Sequence, residues 1–481
     1  MRIPAKGLSR DQVLRALESY RSGDTPWREG RTWAYVYDPG AEAEAVIKEA
    51  FASYLTENAL DPTAFPSALR LENELVSMAA SHLRGDAEVC GNFTSGGTES
   101  ILLAVKAARD RARELAPGIR EPEMVLPATA HAAFQKAGHY LDVKPVLVPV
   151  DPRSFKADLA AMRDAITPNT ILLVGSAVSY AHGVVDPIEA LGELAREKDL
   201  LFHVDACMGG FLLPYFRRLG APVPRFELDV PGVTSISMDL HKYAFAAKGA
   251  SLILYRSKEL RKYQIYACSS WTGYTIINPT VQSSKSAGPL AAAWAALHFI
   301  GDEGYLEIAR QVLGATRRIG DWIAAHPDLR LLGRPEMNLV AFGSDTLSVF
   351  HVIDEMKQRN WYVQPQLGFQ DSRENIHLSI NPANVRWVDA LLADLGECVA
   401  KAKAMPSGEL GARVRAAFGS LDPDALGPDT FAGMLGMAGI QGTALPERMA
   451  EINEILNALP PRLRERLLVE YLNELYRQGS E

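Results

Sequence analysis

Hydrophobic positions along the middle of the chain follow two alternating periodicities. Short runs rich in β-branched and aliphatic residues are separated by stretches in which apolar residues recur at helical spacing. The predicted strands are Met124–Leu126, Pro145–Val150, Thr170–Val174, Leu201–Val204, Val233–Ser237 and Ala250–Tyr255. The helical stretches include Ser100–Leu115 and Ile188–Lys198. This alternation predicts βαβ units, and therefore an α/β domain built on a mostly parallel sheet.

The two ends of the chain show different patterns. Near the start, a predicted helix, Asp11–Tyr20, precedes the aromatic segment TPWREGRTWAYVYDPG, which we expect both to pack as structure and to contact a partner subunit. After residue 290, a long helical pattern leads to three strand candidates, and the chain finishes in an amphipathic helix, RLRERLLVEYLNELYR. The three strand candidates are Asn338–Phe342, Trp361–Gln364 and Ile376–Ile380. The predicted division is an N-terminal arm at 1–57, a large domain at 58–299 and a smaller α+β domain with a helical extension at 300–481.

Composition excludes several classes of protein. The 481 residues are 47% hydrophobic and 22% charged, as in globular proteins with a large core. The net charge of −8 and the absence of a dense Lys/Arg run argue against a nucleic-acid partner. The four cysteines lack disulfide-framework or metal-ligand spacing, so we expect no metal site. Neither a signal peptide nor a membrane span is predicted, and a cytoplasmic location fits best.

The first candidate for chemistry is the segment Ser95-Gly96-Gly97-Thr98-Glu99-Ser100, which directly precedes a predicted helix. Glycines allow the backbone to approach an anion closely, and the N-terminus of a helix attracts phosphate. Hydroxyl groups of Thr98 and Ser100 add further donors. Taken alone, a glycine turn with a Ser/Thr helix cap explains the segment equally well.

Two further motifs lie at predicted strand ends. Asp205 ends the strand of the HVDA motif, at the edge of an open α/β sheet where ligands bind. A buried carboxylate there needs a cationic partner. Lys242 follows the next strand, in SMDLHKY, and a desolvated lysine is a candidate for a Schiff base. The alternative for Lys242 is an ordinary solvated lysine in a loop.

One cofactor needs all three features together. Pyridoxal 5'-phosphate has a phosphate to be cradled, an aldehyde that a lysine can hold, and a pyridine nitrogen that must stay protonated for the ring to accept electrons. Asp205 could pair with that nitrogen. His131, just after the strand Met124–Leu126, could stack on the ring, although a histidine at a helix start is more often a polar cap.

Five motifs, in order, closely resemble those of sphingosine-1-phosphate lyases, which belong to the fold type I pyridoxal-phosphate enzymes together with the group II amino-acid decarboxylases. They are GNFTSGGTESILLAVKAARD, PATAHAAFQKAGHY, LLVGSAVSYAHGVVDPIEAL, HVDACMGGFLLPYF and SISMDLHKYAFAAKGASLILY. The resemblance runs from about Trp27 to His298 and more loosely beyond it, through GFQDSRENIHLSINP. The missing membrane span resembles the soluble bacterial members.

This resemblance implies a role for individual residues. Lys242 would carry the cofactor as a Schiff base, Asp205 would pair with the pyridinium and His131 would stack on the ring. The cofactor's phosphate would be held by Gly96, Gly97, Thr98 and His241. The resemblance also implies a homodimer with active sites at the subunit interface.

The resemblance extends to residues that hold the phosphate of the substrate. Tyr37 matches the family's N-terminal tyrosine, and Lys248 matches a second lysine six residues after the Schiff-base lysine. The family's histidine in LHPD is replaced by Asp61 in Leu60-Asp61-Pro62-Thr63, which places an acid where a cation is expected. Asp61 would then pair with a neighbour such as Lys248, favour a different substrate, or simply cap a turn.

Three functions follow from these observations. The leading one is a carbon–carbon lyase that breaks the Cα–Cβ bond of a phosphorylated long-chain base or similar amino alcohol, giving an aldehyde and an ethanolamine-type amine. The alternative is an amino-acid decarboxylase, because the same cofactor can accept electrons from a departing carboxylate. A non-catalytic homologue is disfavoured because both Lys242 and Asp205 are present.

Overall fold

A seven-stranded sheet forms the centre of the protein in a computed structural model that describes residues 2–405, 409–418 and 446–476. Its strands, in chain order, are β1 (Cys90–Thr94), β2 (Glu123–Pro127), β3 (Lys144–Val148), β4 (Thr170–Ser176), β5 (Leu201–Asp205), β6 (Ser235–Asp239) and β7 (Ser251–Tyr255). They lie in the order β1-β7-β6-β5-β4-β2-β3, and only β7 runs antiparallel to its neighbours. The mostly parallel α/β sheet expected from the sequence is confirmed.

Helices pack on both faces of this sheet, and their apolar side chains form its core together with those of the strands. Those of the first half are α1 (Arg10–Tyr20), α2 (Ala41–Ser53), α3 (Pro66–His82), α4 (Gly97–Leu115), α5 (Ala133–Leu141), α6 (Leu159–Asp164), α7 (Ile188–Glu197), α8 (Leu213–Arg218) and α9 (Lys258–Arg261). On one face, Ile101 and Val105 of α4 pack against Met124 and Leu126 of β2. Apolar residues of α7 pack with β4 and β5, so the central strands are buried on both sides.

A smaller antiparallel sheet lies in the second half of the chain. Its order is β10-β11-β13-β12, and a separate hairpin pairs β8 with β9. The bounds are β8 (Tyr266–Cys268), β9 (Ile276–Asn278), β10 (Arg330–Leu331), β11 (Leu339–Gly343), β12 (Gln364–Gln366) and β13 (Asn375–Ser379). The other helices of the described residues are α10 (Gly288–Ala325), α11 (Val349–Gln358), α12 (Val388–Lys403), α13 (Glu409–Phe418), α14 (Ala450–Ala458) and α15 (Pro461–Leu475). Helix α10 crosses the predicted boundary at residue 300 and is interrupted at Gly301, whose φ is +66°.

The N-terminal segment packs against the small sheet of its own chain. Trp33 is fully buried, and its amide donates to Tyr362 while its carbonyl accepts from Ser379. Helix α1, in contrast, has no buried residue, and Leu14 and Leu17 are exposed. The burial of Trp33 therefore requires no partner subunit, whereas the apolar positions of α1 stay unburied within the described chain.

The structure differs from the sequence-based strands in three respects: β1 is new, one strand is displaced, and the short strands β8, β9 and β10 were not predicted. β1 was not predicted, because CGNFT has no alternation of polar and apolar residues; it is buried through its pairing with β7. The predicted strand Trp361–Gln364 is displaced, since Tyr362 forms only an isolated bridge with Thr32 and regular pairing begins at Gln364. The last residue of the predicted C-terminal helix, Arg477, lies outside the described residues.

Candidate active site

The candidate residues gather at the carboxyl ends of two neighbouring parallel strands. β5 ends at Asp205 and β6 ends at Asp239, and Asp205 pairs in register with Ser237. Lys242 follows in the turn after β6, and the first turn of α4 approaches the same end. Ligands of open α/β sheets bind at this edge, so the topology brings the predicted groups together.

Asp205 is buried, at 6% exposed, and is held by neutral donors. Its Oδ1 accepts from the Cys207 amide at 3.1 Å and from the Ser237 hydroxyl at 3.2 Å. Behind it, His203 contacts Ser237 at 3.2 Å through Nε2 and Ser235 at 2.8 Å through Nδ1. Burial lowers the pKa of His203 to about 4, so this histidine is neutral and polarises the Ser237 hydroxyl toward Asp205. Among the described ion pairs, none involves Asp205, so its carboxylate is available to a cationic ligand.

Lys242 forms an ion pair with a carboxylate from its own turn. Its Nζ lies 2.8 Å from Oδ2 of Asp239, which is 2% exposed. Burial alone would lower the pKa of Lys242, but Asp239, with help from Cys207 and Tyr37, outweighs burial and raises that pKa. Burial would likewise raise the pKa of Asp239, but Lys242 and His241 lower it. Lys242 is therefore an ammonium ion, and Asp239 is the nearest acceptor for its proton.

The two glycines at the start of α4 have different surroundings, because Gly97 is closely packed and Gly96 has open space beside it. A Cβ added to Gly97 would lie 2.8 Å from both Asp239 Oδ1 and Cys207 Sγ. Gly96 has φ +153°, which favours glycine, and an added Cβ there would lie 3.7 Å from the His241 ring. The His241 ring is oriented by the Ala250 amide, which donates to its Nδ1 at 3.2 Å. The first amides of the helix lack intrahelical acceptors and can receive an anion here.

Ser100 belongs to the packing beneath the helix N-terminus. Its hydroxyl lies 2.7 Å from that of Thr94 and 2.9 Å from that of Ser251, and the residue is fully buried. It therefore joins α4 to β1 and β7, and its hydroxyl is occupied within the protein.

His131 lies at the start of α5, on the loop that leaves β2. Its Nδ1 accepts from the Ala133 amide at 3.1 Å, and the side chain is exposed. The ring thus caps the helix, which fixes the orientation of the imidazole. Its stacking on a cofactor stays a prediction.

Tyr37 and Lys248 contact each other beside Lys242. The amine of Lys248 lies 4.3 Å from the centroid of the Tyr37 ring, which packs edge-on against Tyr243. Loss of solvation and repulsion from Lys242 lower the pKa of Lys248 to about 8. Burial raises the pKa of Tyr37, so its phenol stays protonated. The pair offers a cation and a hydroxyl next to Lys242.

Asp61 is a turn cap. Its Oδ1 accepts from the Thr63 amide at 2.8 Å, the Thr63 hydroxyl at 2.6 Å and the Ala64 amide at 3.3 Å, and these bonds lower its pKa. The side chain is exposed, and the ion pairs of the described residues do not join it to Lys248. Of the alternatives for Asp61, the capping geometry is the one observed, and its contact with substrate stays a prediction.

Three groups of the site were missed by the sequence analysis. Asp239 stands three residues before Lys242, a spacing that could have suggested the ion pair. The other two are His203, behind Asp205, and the chain in which Tyr180 donates to Gln364 at 2.5 Å and Gln364 donates to Tyr35 at 2.8 Å. Gln364 is 184 residues from Tyr180, so no local pattern could indicate that chain.

These residues fit pyridoxal phosphate at both of its charged ends. The buried Asp205, held only by neutral donors, suits a protonated ring nitrogen. The open space at Gly96, where an added Cβ would meet only the His241 ring, lies beside the amides that begin α4 and suits a phosphate.

Comparison with known proteins identifies the family. The model of the "Pyridoxal-dependent decarboxylase conserved domain" matches residues 6–344, more than half of the chain. The sphingosine-1-phosphate lyase of Arabidopsis thaliana is 41% identical over 412 residues, which cover 84% of this chain and 74% of the plant protein. The chain belongs to the pyridoxal-dependent decarboxylase family, among the sphingosine-1-phosphate lyases.

A solved structure agrees with this assignment. The sphingosine-1-phosphate lyase of Burkholderia pseudomallei superposes with a TM-score of 0.80 at 36% identity, covering 87% of this chain and 95% of that one. The "Probable L-aspartate decarboxylase" of Pyrococcus furiosus is 32% identical over 369 residues, 77% of this chain and 96% of its own. The protein is therefore a pyridoxal-phosphate-dependent lyase of the sphingosine-1-phosphate lyase and decarboxylase family.

The end of the chain matches a second model. Residues 412–474 match the "Pyridoxal-dependent enzyme, C-terminal putative HTH domain". The described part of this module comprises α14, α15 and the end of α13, with a small core that includes Val414, Leu459 and Leu463. The sequence analysis predicted only its last helix. No helix within the described part of this family member has the length and apolarity that crossing a membrane would require.

Proposed function

We propose that the protein cleaves the Cα–Cβ bond of a phosphorylated long-chain amino alcohol, giving a long-chain aldehyde and an ethanolamine-type amine phosphate. The observation that carries the substrate class is the Lys248–Tyr37 pair, a cation and a hydroxyl placed beside the reactive lysine. The names of the relatives from Arabidopsis and Burkholderia support the same class. We further propose that the reaction serves sphingolipid breakdown in the cytoplasm.

Each residue of the site has a separate task in this reaction. When bound, pyridoxal phosphate supplies an aldehyde that takes up the substrate amine and a ring that accepts electrons. Asp239 holds Lys242 as an ammonium ion across the 2.8 Å ion pair, so a proton must leave this pair before Lys242 can act as a nucleophile. Asp205 keeps a proton on the ring nitrogen, and the Cys207 amide and Ser237 hydroxyl hold its carboxylate in place.

Binding of the two phosphates uses different elements. Gly96, Gly97, Thr98 and His241 would receive the phosphate of the cofactor at the start of α4. Lys248 and Tyr37 would hold the phosphate of the substrate. Asp61 is held in its own turn by neutral donors and is exposed, so solvent would screen its charge from a phosphate nearby. His131 would cover one face of the ring.

We also propose a homodimer. Helix α1 exposes Val13, Leu14, Leu17 and Tyr20, and no residue of this helix is buried in its own chain. An apolar helix face of this kind is stabilised by burial against another surface.

A product assay tests the reaction. Holoenzyme incubated with a phosphorylated sphingoid base should release aldehyde and phosphoethanolamine in equal amounts, and Lys242→Ala should abolish both. Carbon dioxide release from acidic or aromatic amino acids is measured in parallel. Carbon dioxide from an amino acid, with no aldehyde from any phosphorylated base, would replace the lyase proposal with the decarboxylase.

A further inference from the structure

A loop of the small sheet forms one wall of a cleft next to the active site. The loop, residues 367–374, connects β12 to β13 and is closed by mutual backbone hydrogen bonds between Phe369 and Ser372, at 2.8 and 3.0 Å. The cleft, of about 280 Å³, lies between this loop and the segments that leave β2 and β4, and most of its exposed wall is apolar. Phe369 lines it and is 41% exposed.

The inner wall of the cleft is formed by residues that lie two positions along the chain from groups of the candidate site. Thr129 lies two residues before His131, and His182 lies two residues after Tyr180. His182 stacks on Phe155 with 4.3 Å between ring centroids and is almost fully buried, so this wall is rigid. Tyr180 donates to Gln364, and Gln366 of the same strand lines the cleft, so the cleft borders the candidate site.

The loop is held at both of its ends by one side chain of the C-terminal module. Asn457, on α14, accepts from the Gly368 amide at 2.6 Å through Oδ1 and donates to Glu374 at 3.2 Å through Nδ2. From the opposite side, His182 Nε2 lies 2.9 Å from the Ser372 hydroxyl. Arg373 also pairs with Asp345 at the surface, but an exposed ion pair of this kind contributes little.

Other contacts of α14 attach the module without touching the loop. Asp354 accepts from the Met449 and Ala450 amides, both at 2.9 Å, and so caps the start of α14. Glu454 accepts from the Ser348 hydroxyl at 2.8 Å. Docking of the module and restraint of the loop therefore depend on different residues, which makes them separable by mutation.

We propose that Asn457 is a positioning residue for the substrate: it holds loop 367–374 so that Phe369 faces the cleft and the cleft receives the hydrocarbon end of the substrate. Pinning both ends of a loop removes conformational freedom before the ligand binds, which lowers the entropic cost of ordering it. Phe369 gains burial when an apolar chain covers it. The inference rests on the proposed function for the nature of that chain, and it gives the C-terminal module a part in substrate selection.

Hydrogen exchange in the substrate-free holoenzyme tests the restraint directly. Asn457→Ala should speed exchange of the amides in residues 367–374 by about tenfold, the loss expected for one or two hydrogen bonds, while α14 keeps its protection. Glu454→Gln is the matched control on the same helix and should leave the loop unchanged. Equal exchange in the wild type and Asn457→Ala would overturn the proposal.

Kinetics with substrates of two lengths test the role in binding. For a long-chain phosphorylated base, Asn457→Ala should raise KM about tenfold with kcat within about twofold, and a short-chain phosphorylated amino diol should show no change. Faster loop exchange with equal KM changes for both lengths would overturn the assignment of the cleft. If no phosphorylated base is cleaved by the wild type, the proposed function fails, while the exchange experiment still reports on Asn457.

A charge swap distinguishes the specific contact from general damage to the module. Asn457→Asp replaces the donor to Glu374 by an oxygen and should loosen the loop through repulsion. Combining it with Glu374→Gln restores one donor and one acceptor between positions 457 and 374. The double variant should therefore regain the wild-type hydrogen-exchange protection of the loop and the wild-type KM for the long-chain base. A double variant that only adds the two single effects would show that this contact does not position the loop.

Discussion

Asp205 is a buried carboxylate whose charge is stabilised by neutral groups. The Cys207 amide and the Ser237 hydroxyl hold one oxygen, and the neutral His203 supports that hydroxyl from behind. A buried anion without a protein cation is costly unless a ligand supplies the positive charge. We therefore expect Asp205 to favour the protonated form of the cofactor ring.

Asp205→Asn should preserve the shape of this pocket and remove its charge. We expect activity to fall roughly 100-fold or more, since stabilisation of charge in the reacting group is lost. Cofactor content, measured by absorbance after gel filtration, should change far less. Ser237→Ala, which removes one donor, should cost no more than about tenfold. Activity of Asp205→Asn within a few-fold of wild type would contradict this role.

The pH dependence of substrate binding should report on Lys248. Its pKa is lowered to about 8, so the amine is charged below that pH and neutral above it. Loss of the cation should raise KM for a phosphorylated substrate as the pH rises through about 8, with little effect on kcat. Lys248→Arg stays charged throughout and should remove the rise. An unchanged alkaline rise in that variant would assign it to another group.

At the scale of single residues, the sequence indicates a functional residue when the motif around it is informative. Lys242 and Asp205 stand in motifs that their neighbours define, at the ends of predictable strands. Asn457 could not be predicted as a contact of Gly368, because 89 residues separate them and neither stands in an informative motif. The cap formed by Asp61 was among the expected alternatives because its bonds span only two and three residues.

At the scale of elements, the turn from β1 into α4 determines where a phosphate can lie. Gly97 begins the helix with Asp239 and Cys207 directly against its Cα. Any side chain at this position must displace buried atoms of the site. This close approach of Asp239 and Cys207, more than backbone flexibility, explains why the second residue of the Gly96-Gly97 pair is glycine.

Gly97→Ala should therefore weaken cofactor binding. The added Cβ would lie 2.8 Å from Asp239 Oδ1 and Cys207 Sγ, so we expect an affinity loss of at least about tenfold in a spectroscopic titration with pyridoxal phosphate. Gly314→Ala is the control, because no atom lies within 4 Å of its added Cβ. In a helix, that change should stabilise the protein by about 0.5–1 kcal/mol. Equal cofactor affinity of Gly97→Ala and wild type would exclude a tight cradle.

Strands with clear composition were predictable, and those defined by distant partners were not. The runs that became β2, β4 and β5 are almost entirely apolar, which is typical of strands buried on both faces. β1 contains Gly91 and Asn92 and becomes a strand through its pairing with β7, more than 150 residues later. Tyr362 was predicted to lie in a strand of the small sheet, but it forms a bridge with Thr32 of the N-terminal segment instead.

For the whole molecule, the exposed face of α1 predicts self-association. Light scattering of the wild type should give the mass of a dimer at micromolar concentration. Leu14→Asp with Leu17→Asp should shift the equilibrium toward monomer, because charged side chains on an apolar contact are costly to bury. Arg15→Asp is the control on the same helix. A monomeric wild type with bound cofactor and full activity would contradict the proposed dimer.

The long helix α10 bears on how the protein unfolds. The helix is broken at Gly301, next to the predicted boundary, but Tyr305 beyond the break donates to the Ala244 carbonyl of the large domain, and the N-terminal segment completes the small sheet through Trp33. Melting any one of the three predicted parts would expose apolar surface of another. We therefore expect a single cooperative transition in scanning calorimetry, with equal calorimetric and van't Hoff enthalpies. Residues 58–299 and 300–481, expressed separately, should fail to fold, since each would expose apolar surface that the other covers.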